Sequence, residues 1–308
     1  MGVKSNQRLK GVPQLLRTYL APLEPYLAKT DTYFDLCVQK EGQVCLKTIH
    51  GDPEWEIIKD PKVKISLLHD LGRTLASYKG QKFSDEYPIL ATTIPGYNFR
   101  ILCMSGSVVG TGFCLSIRMG MASKYPLESY FEGEDLQRIH ELLETGKSMA
   151  VVGGTGSGKT TLINSMLDTI DLDKRVITIE DSAELAPPHE NWVQMLKSKS
   201  GTDLGQVTYK DMINASLRLR PDIILVGELD IENTMPFLRI INTGHSGCMT
   251  TLHADGPDEA FEAMSMNAAL CGYNMDAAYK YAKKALEYIV FIRREKSNFI
   301  ATLHKVKK

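Results

Sequence analysis

The chain has 308 residues, of which 43% are hydrophobic and 24% are charged, and its formal net charge is -1. This composition is typical of a folded globular protein and unlike a disordered chain, and the length predicts two domains because one hydrophobic core rarely grows so large. The nearly neutral charge gives no global electrostatic reason to expect nucleic-acid binding, and the longest apolar runs are far shorter than the roughly 20 residues of a membrane helix.

The N-terminal text MGVKSNQRLK lacks the apolar stretch of a signal peptide, so we expect a cytoplasmic protein. Six cysteines occur without any Cys-x-x-Cys pair, at positions 37, 45, 103, 114, 248 and 271. Because they are scattered through apolar stretches of the sequence, we expect reduced, buried thiols rather than zinc ligands or disulfides.

The first third of the chain predicts a small α+β domain over residues 1–122. Apolar spacing predicts helices over 12–20 and 60–78, and two β-prone runs around Glu41 and Gly42 predict a hairpin. Three further strands are predicted over 87–93, 97–104 and 112–119. Strand periodicity is then lost near Pro126 and Gly133, which places a linker at 123–133.

The sequence of residues 134–308 predicts a second domain, in which helices alternate with apolar strands. The predicted helices cover 134–144, 159–167, 209–219 and 231–242, and the predicted strands cover 148–152, 175–180, 222–226 and 247–252. Such alternation predicts an α/β fold with a mostly parallel sheet covered by helices on both faces. The carboxyl ends of its strands should line a ligand crevice.

The turn after the first of these strands reads VVGGTGSGKTTL and satisfies the P-loop pattern GxxxxGK[ST] in its required strand-to-helix context. Glycines let backbone amides converge on a phosphate at a helix N-terminus, which already favours anions. Lys159 would contact the β and γ phosphates, and the Thr160 hydroxyl would contact Mg²⁺. A glycine-rich turn that binds nothing is the alternative. The predicted nucleotide-binding residues are Gly153, Gly154, Thr155, Gly156, Ser157, Gly158, Lys159, Thr160 and Thr161.

Acidic residues follow two of the predicted strands. Glu228 comes directly after an apolar strand and would face the phosphates, where a carboxylate can orient the water that attacks the γ-phosphate. Glu180, Asp181 and Glu184 follow another strand and could tune that water or hold Mg²⁺, Glu180 and Asp181 doing so through water. Solvation at the surface is the alternative for Glu228, and a helix-capping role is the alternative for Asp181.

The segment TGHSGCMTTLHAD brings His245, Cys248 and His253 close together in the sequence. A zinc site would need a fourth ligand, and this spacing matches no structural zinc site that we can justify. On the residues alone, satisfied core histidines are the favoured interpretation.

Four segments occur in the order of the Walker A, acidic, Walker B and histidine boxes of secretion-superfamily ATPases: GGTGSGKTTL, TIEDSAEL, LRLRPDIILVGEL and TGHSGCMTTLHAD. The chain resembles the traffic ATPases of type IV secretion systems, closely over residues 133–264 and loosely in its N-terminal third. The preference for type IV over type II secretion rests on the short N-terminal domain and on the missing tetracysteine zinc module.

The resemblance implies a RecA-like P-loop ATPase domain over 134–308 joined to the smaller N-terminal domain, in a homohexameric ring that binds ATP and Mg²⁺ between the domains. It implies that His253 lies near the phosphates and couples nucleotide state to domain position, whereas His245 is structural. Arg100 and Arg118 match the N-terminal strand arginines that reach the nucleotide in this family, although a strand arginine can equally be a solvated edge residue.

Two positions depart from the family pattern. Asp230 stands where the family has an arginine after the Walker B glutamate, which puts any phosphate or interface contact of that arginine in doubt. Ser246 replaces a frequent proline, which affects only the stiffness of the loop.

We therefore predict an ATP-hydrolysing hexameric motor that powers type IV secretion or conjugative transfer. It would lie peripherally on the cytoplasmic face of the inner membrane, with inner-membrane components of a secretion apparatus as partners. A type II secretion or type IV pilus assembly ATPase is the nearest alternative. A RecA-like nucleic-acid motor is a further alternative, but the sequence has no basic strip interleaved with aromatic residues beyond the C-terminal HKVKK. A non-hydrolysing assembly scaffold is another alternative, and only Asp230 supports it.

Overall fold

The computed structural model describes residues 11–49, 54–97, 99–119, 125–198, 201–295 and 298–306. The chain separates into two compact units, Met1–Ala122 with Ser198–Gln206, and Ser123–Lys197 with Val207–Lys308. The stretch Ser198–Gln206 belongs to the first unit although it lies inside the range predicted for the second domain. An antiparallel bridge between Gln81 and Asp203 and a 2.8 Å hydrogen bond from Lys82 N to Thr202 O hold it there. Residues 123 and 124 of the predicted linker lie outside the described residues.

The first unit is an antiparallel sheet covered on one face by helices. Its sheet has the order β3-β2-β1-β6-β5-β4, and all of its pairs are antiparallel. Its elements are α1 (Gln14–Leu20), α2 (Glu24–Leu27), β1 (Tyr33–Lys40), β2 (Gln43–Thr48), β3 (Trp55–Lys59), α3 (Ile65–Lys79), β4 (Ile89–Ile94), β5 (Phe99–Ser105) and β6 (Phe113–Arg118).

Packing in this unit follows from the two periodicities of its sequence. Leu68, Leu71 and Leu75 recur at helical spacing on α3, are fully buried, and pack on the inward side chains of the strands. The predicted hairpin is confirmed, since β1 and β2 pair around a turn in which Gly42 has a φ of 69°. A positive φ is readily available only to glycine.

The second unit carries a sheet that is parallel apart from one edge strand. Its order is β13-β12-β7-β11-β10-β8-β9, and only β13 pairs in an antiparallel manner among the described strands. Its elements are α4 (Gly133–Glu144), β7 (Met149–Val152), α5 (Lys159–Leu167), β8 (Val176–Glu180), β9 (Trp192–Leu196), α6 (Tyr209–Arg218), β10 (Ile223–Val226), α7 (Thr234–Asn242), β11 (Cys248–Leu252), α8 (Pro257–Leu270), α9 (Met275–Ala285), β12 (Tyr288–Glu295) and β13 (Asn298–Lys305).

The central strands β7, β10 and β11 consist entirely of buried residues, and separate apolar clusters cover the two faces of the sheet. This explains the continuous apolar sequences of β7 and β10, because a strand buried on both faces has no solvent side to alternate with, whereas β11 also buries Thr250 and Thr251. Side-chain caps occur at the starts of α6 and α9. At α6, Thr208 and Asp211 form a reciprocal capping box at 3.1 Å. Because β7, β10 and β11 are parallel neighbours, the residues that follow them meet at one edge of the sheet. No helix in the described part of the chain is long and apolar enough to cross a membrane.

Candidate active site

The predicted P-loop joins β7 to α5 and wraps the N-terminus of that helix. Gly156 and Gly158 have φ values of 74° and 87°, which side chains rarely allow. A Cβ added to Gly153 would lie 2.2 Å from the carbonyl oxygen of Ile292, and one added to Gly158 would lie 3.1 Å from the ring of Phe299. The hairpin of β12 and β13 therefore packs directly against the P-loop and requires glycine at both positions.

Lys159 is the first residue of α5 and is only 7% exposed. Its Nζ donates to the carbonyl oxygens of Gly153 and Gly154, each at 2.9 Å, and lies 3.0 Å from Nδ1 of His253. Burial lowers the pKa of Lys159 to about 8, and the nearby Glu228 opposes that shift. The P-loop lysine is thus held inside its own loop by acceptors that phosphate oxygens could replace.

His253 links this lysine to the Walker B glutamate. Its Nε2 lies 2.8 Å from Oε1 of Glu228. A protonated Lys159 donates to Nδ1, so a neutral His253 carries its proton on Nε2, facing the carboxylate. Three side chains, one from the start of α5 and two from the residues that follow β10 and β11, therefore form one chain of contacts. The sequence predicted each of these residues for the site, and the structure brings all three together.

Backbone contacts fix the loop that carries Glu228. Thr251 Oγ1 donates to Gly227 O at 2.7 Å, and Leu229 N donates to Thr251 O at 2.8 Å. Asn233 Nδ2 donates to the carbonyl oxygen of Glu228 at 2.9 Å. The strand that leads to His253 and the turn that leads into α7 thus hold the glutamate from both sides.

Asp230, which departs from the family pattern, has a local structural task. Its Oδ1 accepts hydrogen bonds from Glu232 N at 3.0 Å and Asn233 N at 3.3 Å, and Thr234 Oγ1 donates to its carbonyl oxygen at 2.6 Å. Aspartate commonly closes such turns before a helix. The residue therefore stabilises the turn before α7.

Glu180 differs from Glu228 although both lie at the carboxyl ends of buried strands. It is 2% exposed, and its Oε2 accepts from the backbone amides of Glu184 and Leu185, both at 2.8 Å. Its Oε1 accepts from Gln194 Nε2 at 3.0 Å. Burial raises its pKa, and these hydrogen bonds oppose the rise. Glu180 therefore fastens the loop after β8.

Asp181 and Glu184 lie half-buried in that loop, which is tied to the P-loop helix through Asn164. Asn164 Nδ2 donates to Glu184 O at 3.0 Å, and Asn164 Oδ1 accepts from Ala186 N at 2.9 Å. Within the described residues, no group of three or more His, Cys, Asp or Glu side chains is arranged to hold a metal ion. The predicted magnesium contacts of Thr160, Glu180 and Asp181 stay predictions.

The other two members of the histidine segment lie in structural positions. Cys248 is buried in β11, its Sγ lies 3.5 Å from the carbonyl oxygen of His245, and burial raises the pKa of its thiol to about 12. His245 N donates to Ile240 O at 3.3 Å, in the turn that ends α7. Both residues thus support the start of β11.

In the first unit, Arg100 and Arg118 are directly opposite each other on β5 and β6. The side chain of Arg118 is 59% exposed, and its Nε donates to Oδ1 of Asp35 at 3.2 Å. Like charges directly opposite on a sheet repel, and Asp35 offsets part of that repulsion. Contact of these arginines with a nucleotide stays a prediction.

A P-loop at the end of one parallel strand, with an acid and a histidine from the next strands beside its lysine, is the arrangement of a P-loop nucleoside triphosphatase. The chain belongs to the family described as "Type II/IV secretion system protein", whose profile matches residues 91–275.

One curated relative shows the same family, and two solved structures share the fold. Protein VirB11 of Agrobacterium fabrum is 40% identical over 283 residues, covering 82% of this chain and 80% of the relative. The VirB11 ATPase of the Brucella suis type IV secretion system, crystallised with sulphate, has a TM-score of 0.50 at 22% identity and covers 94% of each chain. The Legionella pneumophila ATPase DotB has a TM-score of 0.66 at 17% identity, covering 93% of this chain and 79% of that one. This family membership confirms the predicted family and, with it, the predicted ATPase activity and role in type IV secretion.

Proposed function

We propose that this protein works as an ATP-driven motor of type IV secretion in which Lys159, His253 and Glu228 act as one hydrolytic unit. The observation that supports this proposal most is the chain of contacts from Lys159 through His253 to Glu228, at 3.0 and 2.8 Å. It puts a phosphate-binding cation and a water-orienting carboxylate on opposite sides of one imidazole.

In this proposal, the β and γ phosphates of ATP take Lys159 away from the carbonyl oxygens of Gly153 and Gly154. The remaining P-loop residues, from Thr155 to Thr161, give their backbone amides and the helix N-terminus to the same phosphates. Glu228 then orients water for attack on the γ-phosphate and accepts its proton. His253 holds the carboxylate in place and senses whether Lys159 points to its own loop or to the nucleotide.

Magnesium would neutralise phosphate charge at this site. Thr160 follows Lys159 and is half-buried at the start of α5, which suits a direct hydroxyl ligand. Asp181 would act through water from the loop tied to α5. Both oxygens of Glu180 already accept hydrogen bonds, so we assign that residue to the structure of the loop rather than to the ion. Glu184, in the same loop, would tune the attacking water.

The wider assembly is part of the same proposal. We assign the second unit to the RecA-like class, because its parallel sheet carries the P-loop and the acid at strand ends. Arg100 and Arg118 of the first unit would neutralise the γ-phosphate, and a homohexameric ring would pass the movement to neighbouring subunits. The ring would work peripherally at the inner membrane, against components of a secretion apparatus.

Steady-state phosphate release by the purified full chain tests the hydrolytic role of Glu228. Glu228→Gln should lower turnover by about 100-fold or more, because general-base catalysis contributes about 10² to 10⁴. Glu232→Gln is the matched control, since Glu232 is exposed in the same turn and pairs with Lys197 at 3.6 Å. Turnover by Glu228→Gln equal to that of the control would refute the proposal.

A further inference from the structure

Asn233 is a buried polar residue close to Glu228, and it stands outside the hydrolytic unit of Lys159, His253 and Glu228. It lies at the start of α7, after the turn that follows β10, and it is 1% exposed. We propose that Asn233 is a positioning residue for hydrolysis, whose carboxamide fixes the backbone of Glu228 and so sets the place of the catalytic carboxylate. This inference rests on the proposed function, since it takes Glu228 as the general base.

Both ends of the Asn233 carboxamide bind the backbone of the same turn. Its Nδ2 donates to the carbonyl oxygen of Glu228 at 2.9 Å, and its Oδ1 accepts from Asp230 N at 2.8 Å. A carboxamide has a donor end and an acceptor end, and each end here meets the partner that it requires. The Asn233 side chain therefore has one favourable orientation, in which it bridges the two peptide groups on either side of Leu229.

The residue that holds Glu228 is itself held by its neighbours. Asp230 Oδ1 accepts from Asn233 N at 3.3 Å. Thr234, which is fully buried, donates through Oγ1 to Asp230 O at 2.6 Å and accepts from Asn267 Nδ2 at 3.2 Å. Because Asn267 belongs to α8, the carboxamide of Asn233 projects from a backbone that α7 and α8 fix together.

The position of the Glu228 carboxylate depends strongly on its backbone. The side chain of Glu228 is 28% exposed, and its 2.8 Å contact with His253 joins it to a side chain that is 48% exposed. Packing holds such side chains less firmly than buried ones, so a shift of the Glu228 backbone would move the carboxylate with it. A displacement of about 1 Å at a catalytic group can lower the rate by about 100-fold.

Strand β11 fixes the residues on both sides of Glu228, and Asn233 fixes the Glu228 carbonyl group itself. Thr251 Oγ1 donates to Gly227 O at 2.7 Å, and Leu229 N donates to Thr251 O at 2.8 Å. Loss of the Asn233 carboxamide would therefore leave the turn attached to β11 but loosen the peptide group that carries Glu228. None of these contacts involves the P-loop, so the affinity for ATP should not depend on them.

Phosphate release and ATP binding by the full chain test this role. Asn233→Ala should lower kcat by about 10- to 30-fold and leave the dissociation constant of ATP within about twofold of the wild-type value. Asn242→Ala is the matched control, because Asn242 ends the same helix and its Nδ2 donates to Leu238 O at 3.2 Å and Tyr281 O at 3.3 Å. This control should lower the melting temperature, as the loss of a structural amide does, but keep the wild-type kcat.

A double variant separates positioning of Glu228 from general structural support. When Asn233→Ala is added to Glu228→Gln, the residual rate should fall by less than about twofold, because the carboxylate that Asn233 positions is already absent. A further loss of about tenfold would overturn the inference. So would a wild-type kcat in Asn233→Ala, or a loss of kcat in Asn242→Ala as large as that in Asn233→Ala.

The inference and the proposed function fail in different ways. Wild-type turnover in Glu228→Gln would refute the proposed function, whereas slow turnover in Glu228→Gln with a wild-type kcat in Asn233→Ala would refute the positioning role alone. Thermal unfolding shows whether each variant is folded. If Asn233→Ala does not fold, Asn233→Ser carries the same test with the same expected loss, since serine also begins helices well but is too short to reach both Glu228 O and Asp230 N.

Discussion

Replacing His253 by alanine should slow ATP hydrolysis while leaving ATP binding near the wild-type level. The change removes the 2.8 Å contact that orients Glu228, but Lys159 keeps its place at the start of α5 and can still bind phosphate. Hydrogen bonds to charged groups contribute about 1.5 to 3 kcal/mol, which corresponds to about 10- to 150-fold in rate. Because the His253 side chain is 48% exposed, solvent weakens the contact, and we expect a loss of about 10- to 30-fold.

The assay measures kcat by phosphate release and the dissociation constant by a fluorescent ATP analogue. His245→Ala is the matched control, since His245 lies in the same segment but contacts the start of β11 instead. His253→Gln, which can still donate to Glu228, should recover part of the rate. A wild-type kcat in His253→Ala would refute this reasoning, as would a loss of ATP affinity as large as the loss of kcat.

Two further predictions concern charge at the site. The pKa of Lys159 is lowered to about 8, so the Lys159 side chain of the nucleotide-free protein is mostly neutral at pH 9. Because the phosphates of ATP favour the charged form, ATP should bind with uptake of nearly one proton at pH 9 and almost none at pH 7. Calorimetry in buffers of different ionisation enthalpy measures this uptake, and it should vanish in Lys159→Arg; uptake that persists in this variant would contradict the assignment. Burial of the charged Lys159 lowers the free energy of unfolding below about pH 8. This destabilisation disappears as the pH rises towards 10.5, so the folded protein gains stability over that range. An arginine that neutralises the γ-phosphate contributes about a thousandfold or more to turnover, so Arg118→Ala should lower turnover by about that factor, and Arg100→Ala should lower it as well. The mass of the ring, measured by light scattering, and the affinity for ATP should stay unchanged in both variants. Exposed Arg73 gives the control variant, and wild-type rates in both Arg100→Ala and Arg118→Ala would remove the first unit from the active site.

The elements around the P-loop could be predicted closely because local pattern and environment agree there. The helix predicted over 159–167 is α5, Lys159–Leu167, and the strands on each side differ from the prediction by one residue at most. A glycine-rich turn between an apolar strand and a helix has few other interpretations. Glu228 could be placed because parallel strands end at the same edge of the sheet. His253 could be placed only through the family resemblance, because the residues alone favour a core histidine.

Other elements carried no such signal. The edge strand β3 has only one residue that is not exposed, so its sequence does not alternate. Helix α8 reads PDEAFEAMSMNAAL, in which apolar residues occur on most sides and give no clear stripe. The place of Ser198–Gln206 in the first unit depends on pairing with Gln81, which is distant in the sequence. No local pattern encodes such a contact.

Glu180 and Glu228 show why the site was harder to predict than the fold. Both are acids at the carboxyl ends of buried strands, and the sequence pattern around them is the same. Glu180 is buried because the following loop returns two backbone amides to it, whereas the Glu228 side chain is 28% exposed and meets a histidine. Phe299 was missed for a related reason, since its contact with Gly158 depends on a hairpin at the far end of the chain.

The most direct test of the account is the nucleotide retained by two variants, Lys159→Ala and Glu228→Gln, after incubation with ATP and removal of the unbound nucleotide. The first loses the cation that binds the phosphates, and the second loses the base but keeps the P-loop. We expect Lys159→Ala to retain little nucleotide, and Glu228→Gln to retain close to one nucleotide per chain, mostly as ATP rather than ADP. Equal loss of nucleotide in the two variants, or ADP in Glu228→Gln at the wild-type proportion, would contradict the division of roles between Lys159 and Glu228.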